Sequence, residues 1–359
     1  MFQWRQHRRK MLLAVVCLQL VAFLRIVLVP NYNIFLPTWW QWSWSWLMQD
    51  SCTSLGHLRH DLSLSAYDPY IAVSVVSGSE TWFRTKFQQA TWAAHSLGDL
   101  TFQNVSFFDE NDVAKMPMGL SCQEAALICD RNHAPTDDEL WEHNEVFTGS
   151  RPGWWCFQSR ELIVLDYQLR QHPNADWFFL VNDDTYVNVP ALKKKAGSYS
   201  ATSSACALGQ VGHLRLPYFG DIFWHSIIWD GAGILINRNA ADRLLKEDAK
   251  SRSRSVIEQC IHNTRKRSKW CWWHSDWVLS ACLQNAGISV TSDKSFVQFP
   301  DEELEKAGFD METKDSETSL KKAAWIADFC SRKTTCHKRK TMQSMLDIHN
   351  LLKMVSSQA

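Results

Sequence analysis

The chain carries no net charge. Its 38 lysine and arginine residues equal its 38 aspartate and glutamate residues, so no overall field would attract nucleic acid, and any charge-driven contact has to be local. With 45% hydrophobic and 21% charged residues among 359, the composition indicates neither disorder nor a fibre, and the sequence contains no internal repeat. These absences leave a globular protein with one large core or two modest ones.

The paired C-x-x-C spacing that is typical of zinc sites is also missing. Of the 11 cysteines, Cys17 lies in an apolar segment and the others are spread along the chain, which favours disulfides in an oxidising compartment. Their connectivity cannot be read from the sequence, although Cys330 and Cys336 could close a small loop. The sequon that begins at Asn104 predicts N-glycosylation and is consistent with a secretory route.

A long apolar run lies near the N-terminus. Residues 11–29, MLLAVVCLQLVAFLRIVLV, are about as long as a helix that crosses a bilayer, and the basic residues within 1–10 should stay cytosolic. A cleaved signal peptide is the main rival, but no A-x-A-like cleavage site follows; a buried soluble helix is a third alternative. We predict a signal-anchor, a stem at 30–66, and a single-pass type II protein of the Golgi or ER membrane with a lumenal catalytic domain.

The remaining chain alternates between strand and helix patterns. Short apolar, β-branched runs alternate with amphipathic segments, and the clearest are strands at 70–76, 101–109 and 177–181 and helices at 83–95 and 160–171. This alternation predicts a mostly parallel sheet covered by helices on both faces. Ligands of such sheets bind beyond the carboxyl ends of the strands.

Two adjacent carboxylates, Asp183 and Asp184, stand at one of those strand ends. Neighbouring carboxylates repel each other unless a cation or hydrogen-bond donors neutralise them. Mg²⁺ or Mn²⁺ takes one or two protein carboxylates together with phosphate oxygens and water, which suits a nucleotide diphosphate. Taken alone, however, the pair is better explained as the start of a turn.

Five motifs in consistent order resemble the fringe and core-1 β-1,3-glycosyltransferase family. They are YIAVSVVSGSETWFRTKFQQATW, FQNVSFFDEND, WFFLVNDDTYVNVPAL, DGAGILINR and SDWVLSACLQNAGI. The resemblance runs from about Asp68 to about Phe299 and implies an α/β fold of the GT-A type. In that fold a Rossmann-like half binds a UDP-sugar and a second half binds the acceptor. We therefore expect the glycosyltransferase domain at 67–300 and a C-terminal extension at 301–359.

The resemblance also implies roles for three carboxylates. The metal-holding aspartate of the family motif falls on Asp184, and Asp183 would face the metal and the ribose or sugar. The catalytic base falls on Asp276, since an inverting transfer needs a carboxylate opposite the leaving UDP to take a proton from the acceptor hydroxyl, while a metal ion neutralises the diphosphate. Asp276 could instead stabilise a helix dipole, and the two roles do not exclude each other.

Further residues match the family's binding positions. Those assigned to the nucleotide-sugar are Asp183, Asn182, Arg84, Asp109, Gly231 and Gly233, with Ala232 between the two glycines. The alternatives are a solvated arginine, a turn aspartate and glycines that serve close packing. Trp272 and Trp273 could stack on the acceptor, with core filling as the alternative.

Two positions depart from the family pattern. Asn182 stands where the family has the first aspartate of its motif, and SFVQFPDEE (295–303) lacks the family's metal-binding histidine. Gln298, a water molecule or His274 could take the place of that histidine. We still expect Mn²⁺ or Mg²⁺ as cofactor.

The sequence thus predicts an inverting hexosyltransferase, of the β-1,3 type that the resemblance implies, which moves a hexose or N-acetylhexosamine from a UDP-sugar to a glycan or glycoprotein hydroxyl. The expected partners are the UDP-sugar donor, the acceptor and the membrane, and no nucleic acid. The main alternative is a non-catalytic, membrane-anchored binding or chaperone-like protein on the same fold. A structural secretory protein would leave the ordered motifs unexplained. The sequence does not predict the donor sugar, the linkage or the oligomeric state.

Overall fold

The computed structural model describes most of the chain beyond the predicted stem. The described residues are 52, 68–93, 104–121, 123–125, 152–202, 204–215, 224–248, 253–266, 275–309 and 316–356. The predicted membrane segment and nearly all of the predicted stem lie outside these residues. Within the described part of the chain, no helix is long and apolar enough to cross a membrane.

Eleven strands are present in the described residues. In chain order they are β1 (Ile71–Val76), β2 (Asn104–Phe108), β3 (Trp177–Asn182), β4 (Tyr186–Val187), β5 (Cys206–Gly209), β6 (Val211–Arg215), β7 (Trp224–Ile228), β8 (Ile234–Asn237), β9 (Ser289–Ser292), β10 (Phe296–Val297) and β11 (Thr335–Cys336). Six of them form the main sheet in the order β2-β1-β3-β8-β5-β9. Only β8 runs antiparallel to its neighbours, so the predicted mostly parallel sheet is confirmed.

Ten α-helices accompany these strands in the same described ranges. They are α1 (Thr85–Gln89), α2 (Glu110–Lys115), α3 (Pro152–Gln171), α4 (Val189–Gly197), α5 (Arg238–Leu245), α6 (Val256–Lys266), α7 (Ser275–Asn285), α8 (Pro300–Lys306), α9 (Ser316–Ser331) and α10 (Met342–Ser356). A 3₁₀ turn, Ser79–Arg84, leads into α1. The predicted helix at 83–95 is therefore shorter and tighter than expected.

Both faces of the main sheet are buried. Alternate residues of β3 point to opposite faces, and they enter two separate clusters, Phe178 and Leu180 in one and Trp177 and Phe179 in the other. Residues of α3, α5, α6 and α7 cover the first cluster, and residues of α4, α9 and α10 cover the second. Burial on both sides explains why β1 and β3 are continuous apolar runs, as parallel strands require.

The C-terminal segment is built into this core. Strand β11 pairs with β10 in parallel and with β4 in antiparallel orientation, and β4 begins two residues after Asp184. Asn188 supports the junction, because its side-chain amide donates to the backbone carbonyl of Ser331 and its backbone N–H to that of Thr334. The residues that follow β11 are therefore held close to the acidic end of β3.

One stretch that is rich in basic residues contains a helix. The run at 250–269 is rich in lysine and arginine, but Ile257 and Ile261 lie four residues apart and both are fully buried on α6. Cys260 on the same helix forms a disulfide with Cys282 on α7. The stretch therefore contains a helix that packs on the core.

Two further disulfides join described cysteines. Cys52 pairs with Cys206, and Cys330 pairs with Cys336, which is the small loop that the sequence allowed. All three bonds are of the kind that an oxidising compartment supports.

The bond between Cys260 and Cys282 should contribute measurably to stability. It closes a loop over a sequence separation of 22, and we expect a Cys260→Ala, Cys282→Ala double variant to lose about 3 kcal/mol of free energy of unfolding, measured by chemical denaturation. The Cys330→Ala, Cys336→Ala pair is a control with a separation of 6, for which the loss of loop entropy is about 1 kcal/mol smaller. Equal stability of the first variant and the wild type would contradict this expectation.

Candidate functional site

Two aspartates form a buried acidic corner at the carboxyl end of β3. Asp183 accepts hydrogen bonds from the hydroxyls of Ser77, at 2.6 Å, and Thr81, and Ser77 directly follows the neighbouring strand β1. The guanidinium of Arg84 lies 3.5 Å from the carboxylate of Asp183. Burial raises the pKa of Asp183 above its usual value, although the two hydroxyls oppose the shift and the charge of Asp184 adds to it.

The second aspartate faces a histidine that the sequence analysis did not include. Nε2 of His337 lies 2.9 Å from Oδ1 of Asp184, Arg84 lies 3.9 Å from Oδ2, and the backbone N–H of Arg339 donates to the carbonyl oxygen of Asp184. Burial alone would raise the pKa of Asp184, but His337, Arg84 and Lys340 outweigh it and hold this pKa below the usual value. Asp184 is therefore the carboxylate that stays ionised most readily.

His337 reaches this corner through strand pairing. It follows β11 directly, its backbone N–H donates to the carbonyl of Val297 on β10, and its Nδ1 lies 3.2 Å from the carbonyl oxygen of Gln298. The structure therefore brings a histidine from 39 residues further along the chain beside SFVQFPDEE, where the family histidine is missing. The signal in the sequence is a histidine placed directly after the cysteine of a small loop.

Gln298 provides an unused oxygen at the same place. Its Oε1 is buried and, among the described residues, has no hydrogen-bond partner. A Cβ built on Gly231 would come within 2.7 Å of this oxygen and 2.6 Å of Cε1 of His337, so Gly231, Gln298 and His337 meet at one point. The absence of a side chain at Gly231 keeps this space open.

These residues fit a hard divalent cation. Octahedral bonds of about 2.1 Å place adjacent ligand atoms about 3 Å apart, and the 2.9 Å between Asp184 Oδ1 and His337 Nε2 matches that spacing. The orphaned Oε1 of Gln298 is an amide oxygen of the type that such ions accept. Within the described ranges no group of three His, Cys, Asp or Glu side chains is arranged around a metal site. Asp184, His337 and the amide oxygen of Gln298 would fill three of the six coordination positions, which leaves the others for water and the phosphates of a nucleotide.

The Asp230–Gly233 turn connects this corner to the other predicted catalytic group. The hydroxyl of Thr185 donates to the carbonyl of Gly231 at 2.6 Å, which ties the turn to the end of β3. Gly233 has a φ of +90°, and a Cβ there would come within 2.6 Å of the ring of Phe179. Only glycine satisfies both conditions, so close packing and the positive φ explain Gly233 fully.

Asp276 is buried in the first turn of α7. The hydroxyl of Ser275 donates to Oδ2 of Asp230 at 2.6 Å, so the turn that contacts His337 also holds the start of this helix. Deeper in α7, Ser280 donates to the carbonyl of Asp276 and accepts from the backbone N–H of Ile228 on β7. These bonds fix the backbone on both sides of the Asp276 carboxylate.

The other predicted site residues have varied surroundings. Arg84 contacts both carboxylates of the acidic corner, and its role in nucleotide binding remains a prediction. Asn182 is the last residue of β3, and its backbone carbonyl accepts from the side chain of Gln88 at 3.0 Å. Asp109 caps α2 by accepting from two backbone N–H groups, which is the local role that an aspartate after a strand commonly takes.

The structure does not test the predictions for the acceptor tryptophans, for His274 and for glycosylation. Trp272, Trp273 and His274 fall outside the described residues. Asn104 begins β2, an edge strand of the main sheet, and its Oδ1 accepts from the hydroxyl of Ser106 at 3.2 Å. Glycosylation at Asn104 remains a prediction.

A methyl group at Gly231 tests the geometry of this corner. We expect Gly231→Ala to weaken Mn²⁺-dependent UDP binding about 10- to 100-fold, because its Cβ would displace His337 and Gln298; calorimetric titration measures the change. Gly308→Ala is the control, since no heavy atom lies within 4 Å of its added Cβ. With its φ of +85° the control should lose about 1–2 kcal/mol of stability and no affinity. Unchanged binding by Gly231→Ala would show that the space is not used.

Comparison with known proteins gives one family match. The family model described as Fringe-like matches residues 156–308, a range that includes Asp184, Asp276 and Gln298 and excludes His337. A search of the curated proteins found no match. The six-stranded, mostly parallel sheet is consistent with the GT-A type fold of that family. Residues 156–308 are therefore similar to the Fringe-like family, which is the family that the motifs of the sequence indicated.

Proposed function

We propose that this chain is an inverting glycosyltransferase that moves a hexose or N-acetylhexosamine from a UDP-sugar to a hydroxyl of a glycan or glycoprotein. The Fringe-like match supports glycosyl transfer in general. The observation that carries the more specific proposal is the acidic corner, where Asp184, His337 and the orphaned oxygen of Gln298 converge beside a turn that also holds Asp276. We further propose β-1,3 linkage on the resemblance alone.

Asp184, His337 and Gln298 would hold a divalent cation, Mn²⁺ or Mg²⁺, at the carboxyl end of β3. When bound, the ion supplies positive charge that stabilises the diphosphate as it leaves. Asp183 is placed differently, since its Oδ2 accepts from two hydroxyls and its Oδ1 faces Arg84. We assign Asp183 and Arg84 to binding the nucleotide-sugar, where the guanidinium of Arg84 can also contact a phosphate.

Asp276 would act as the general base. It accepts the proton of the acceptor hydroxyl while the hydroxyl oxygen forms a bond to C1 of the donor sugar, and the bond between C1 and the diphosphate oxygen breaks with its electron pair going to UDP. Attack opposite the leaving group inverts the anomeric centre. The two anchors around Asp276 hold its backbone in place, which favours a reproducible geometry for proton transfer.

A panel of UDP-sugars with and without Mn²⁺ tests this function. We expect the melting temperature to rise when nucleotide and metal are both present, because a ligand that binds only the folded state stabilises it. We also expect release of UDP when a suitable acceptor is added. If neither UDP nor Mn²⁺ changes the melting temperature, the proposed site is wrong.

A non-catalytic binding protein is the second candidate. Asn182 in place of the first motif aspartate favours it, because one negative charge is missing from the corner. This alternative predicts UDP binding without turnover for every donor and acceptor. The panel separates the two functions, because the melting temperature reports binding and UDP release reports transfer.

For the cellular setting we propose a Golgi or ER membrane protein with the Fringe-like domain in the lumen. The apolar run at 11–29 after a basic tail and the three disulfides between described cysteines support this. Protease protection in sealed microsomes tests it: the domain at 67–300 should resist digestion until detergent opens the membrane. Digestion without detergent would place the domain on the cytosolic side.

A further inference from the structure

A buried glutamate lies behind the proposed base. Glu161, on α3, is 1% exposed, and α3 packs against α7, the helix that carries Asp276. Neither carboxyl oxygen of Glu161 has a hydrogen-bond partner among the described residues. An ionised carboxylate in that state would be costly, because burial removes its water and nothing replaces it.

The groups that face Glu161 offer its ionised form little stabilisation, since the one hydroxyl among them, that of Ser275, donates its proton to Asp230. They are the carboxyls of Asp230 and Asp276, the hydroxyl of Ser275 and, on its own helix, the guanidinium of Arg160. Two carboxylates cannot hydrogen-bond to each other, since both only accept. A proton on Glu161 turns it into a donor toward Asp230. Burial, and then the negative charge of Asp230, raise the pKa of Glu161 well above its usual value, which favours that protonated form.

The guanidinium of Arg160 has contacts away from Glu161. Its NH1 donates to the backbone carbonyl of Ser77 at 2.6 Å, and its NH2 lies 3.4 Å from the carboxylate of Glu110. The guanidinium is thus directed toward Ser77, which follows β1, and Glu110, which begins α2. The carboxyl of Glu161 instead faces Asp230 and the start of α7.

Asp230 is the link between Glu161 and the base. Its Oδ2 accepts from the hydroxyl of Ser275 at 2.6 Å, and Ser275 begins α7 one residue before Asp276. A hydrogen bond from Glu161 to Asp230 would keep the Asp230 carboxylate in the position where it accepts from the hydroxyl of Ser275. A second ionised carboxylate at Glu161 would instead repel both Asp230 and Asp276.

We propose that Glu161 is a positioning residue for Asp276: its neutral carboxyl group donates a hydrogen bond to Asp230, and Asp230 in turn holds Ser275 and the first turn of α7. This inference rests on the proposed function for the role of Asp276 as base, but the contact itself does not depend on catalysis. Glutamine, which is neutral and can donate, should replace Glu161. Leucine, which has a similar size and no donor, should not.

The protonation state is tested by stability against pH. A group whose pKa is raised in the folded protein binds more protons folded than unfolded, so stability falls as pH rises above its unfolded pKa. Glutamine does not titrate, so Glu161→Gln removes this loss of stability at high pH. We expect the full-length variant and the wild type to melt at nearly the same temperature at about pH 4, and the variant to melt increasingly higher toward about pH 8. A difference that is constant across this range would overturn the neutral carboxyl.

The positioning role is tested by hydrogen exchange in full-length protein. In Glu161→Leu, amides in the first turn of α7 should exchange about tenfold faster, as expected for the loss of one hydrogen bond, and Glu161→Gln should leave them unchanged. Once an acceptor is known, the leucine variant should lower kcat while the affinity for UDP stays constant. Unchanged exchange in the leucine variant would overturn the proposal. Both physical readouts remain decisive if the wild type shows no transfer, which would contradict only the proposed function.

Discussion

Replacing Asp276 by asparagine lowers kcat by about 10²–10⁴-fold, the range that a general base contributes, and leaves the affinity for UDP unchanged. The asparagine side chain keeps the shape of the aspartate but cannot accept the proton of the acceptor hydroxyl. The carboxylate lies in a turn held by Ser275 and Ser280, neither of which loses its hydrogen-bond partner in the variant. Initial rates at saturating donor and acceptor, with calorimetric titration of UDP, measure the two quantities.

Asp242→Asn is the matched control for this variant. Asp242 lies on α5 with a side chain that is 63% exposed and makes only a long contact, 3.7 Å, with Arg238. An exposed pair of this kind contributes little to stability, and the control should keep wild-type rates. If Asp276→Asn retained the wild-type kcat, or lost UDP binding together with activity, Asp276 would not be the base.

Replacing His337 by alanine lowers the affinity for Mn²⁺ in the presence of UDP by more than about 100-fold. Loss of the imidazole leaves Asp184 and the amide oxygen of Gln298 as the remaining protein groups at the corner. Asp184→Ala should weaken metal binding at least as strongly, because it removes the negative charge. Because both residues are proposed to bind one ion, their effects should not add. The double variant should bind Mn²⁺ only slightly less tightly than the single variant with the lower affinity. Calorimetric titration of Mn²⁺ measures each affinity.

His172 supplies the control for this series. It lies 2.8 Å from the hydroxyl of Tyr70, just beyond the end of α3, and has no contact with the acidic corner among those that the structure describes. His172→Gln should bind Mn²⁺ and UDP as the wild type does. Equal metal affinity in His337→Ala and the wild type would show that the contact with Asp184 is only a hydrogen bond.

The sheet and the acidic corner could be predicted because their signals are local. Mostly apolar runs mark β1 and β3 as strands buried on both faces, and Asp183 and Asp184 directly follow the end of β3. Burial then removes water from both carboxylates, and the hydroxyls of Ser77 and Thr81 satisfy one of them. Adjacent parallel strands end at the same edge, so the approach of Ser77 to Asp183 follows from the topology.

His337 could not be predicted because its position depends on pairing between distant short strands. Strand β11 has two residues and finds its place only against β10 and β4, and no periodicity extends over two residues. Helix α6 is hard to predict for a related reason. Seven lysine and arginine residues lie within 250–269, and the spacing of the buried residues Ile257 and Ile261 is a weaker signal than this charge.

The most direct test of the central claim is pulsed electron paramagnetic resonance of Mn²⁺ bound together with UDP. If His337 is a ligand, the spectrum contains a hyperfine coupling to a directly bound nitrogen, and the coupling disappears in His337→Ala while the His172→Gln variant keeps it. A Mn²⁺·UDP complex without nitrogen coupling, or with a coupling that survives the loss of His337, would contradict the site in which Asp184 and His337 share one cation.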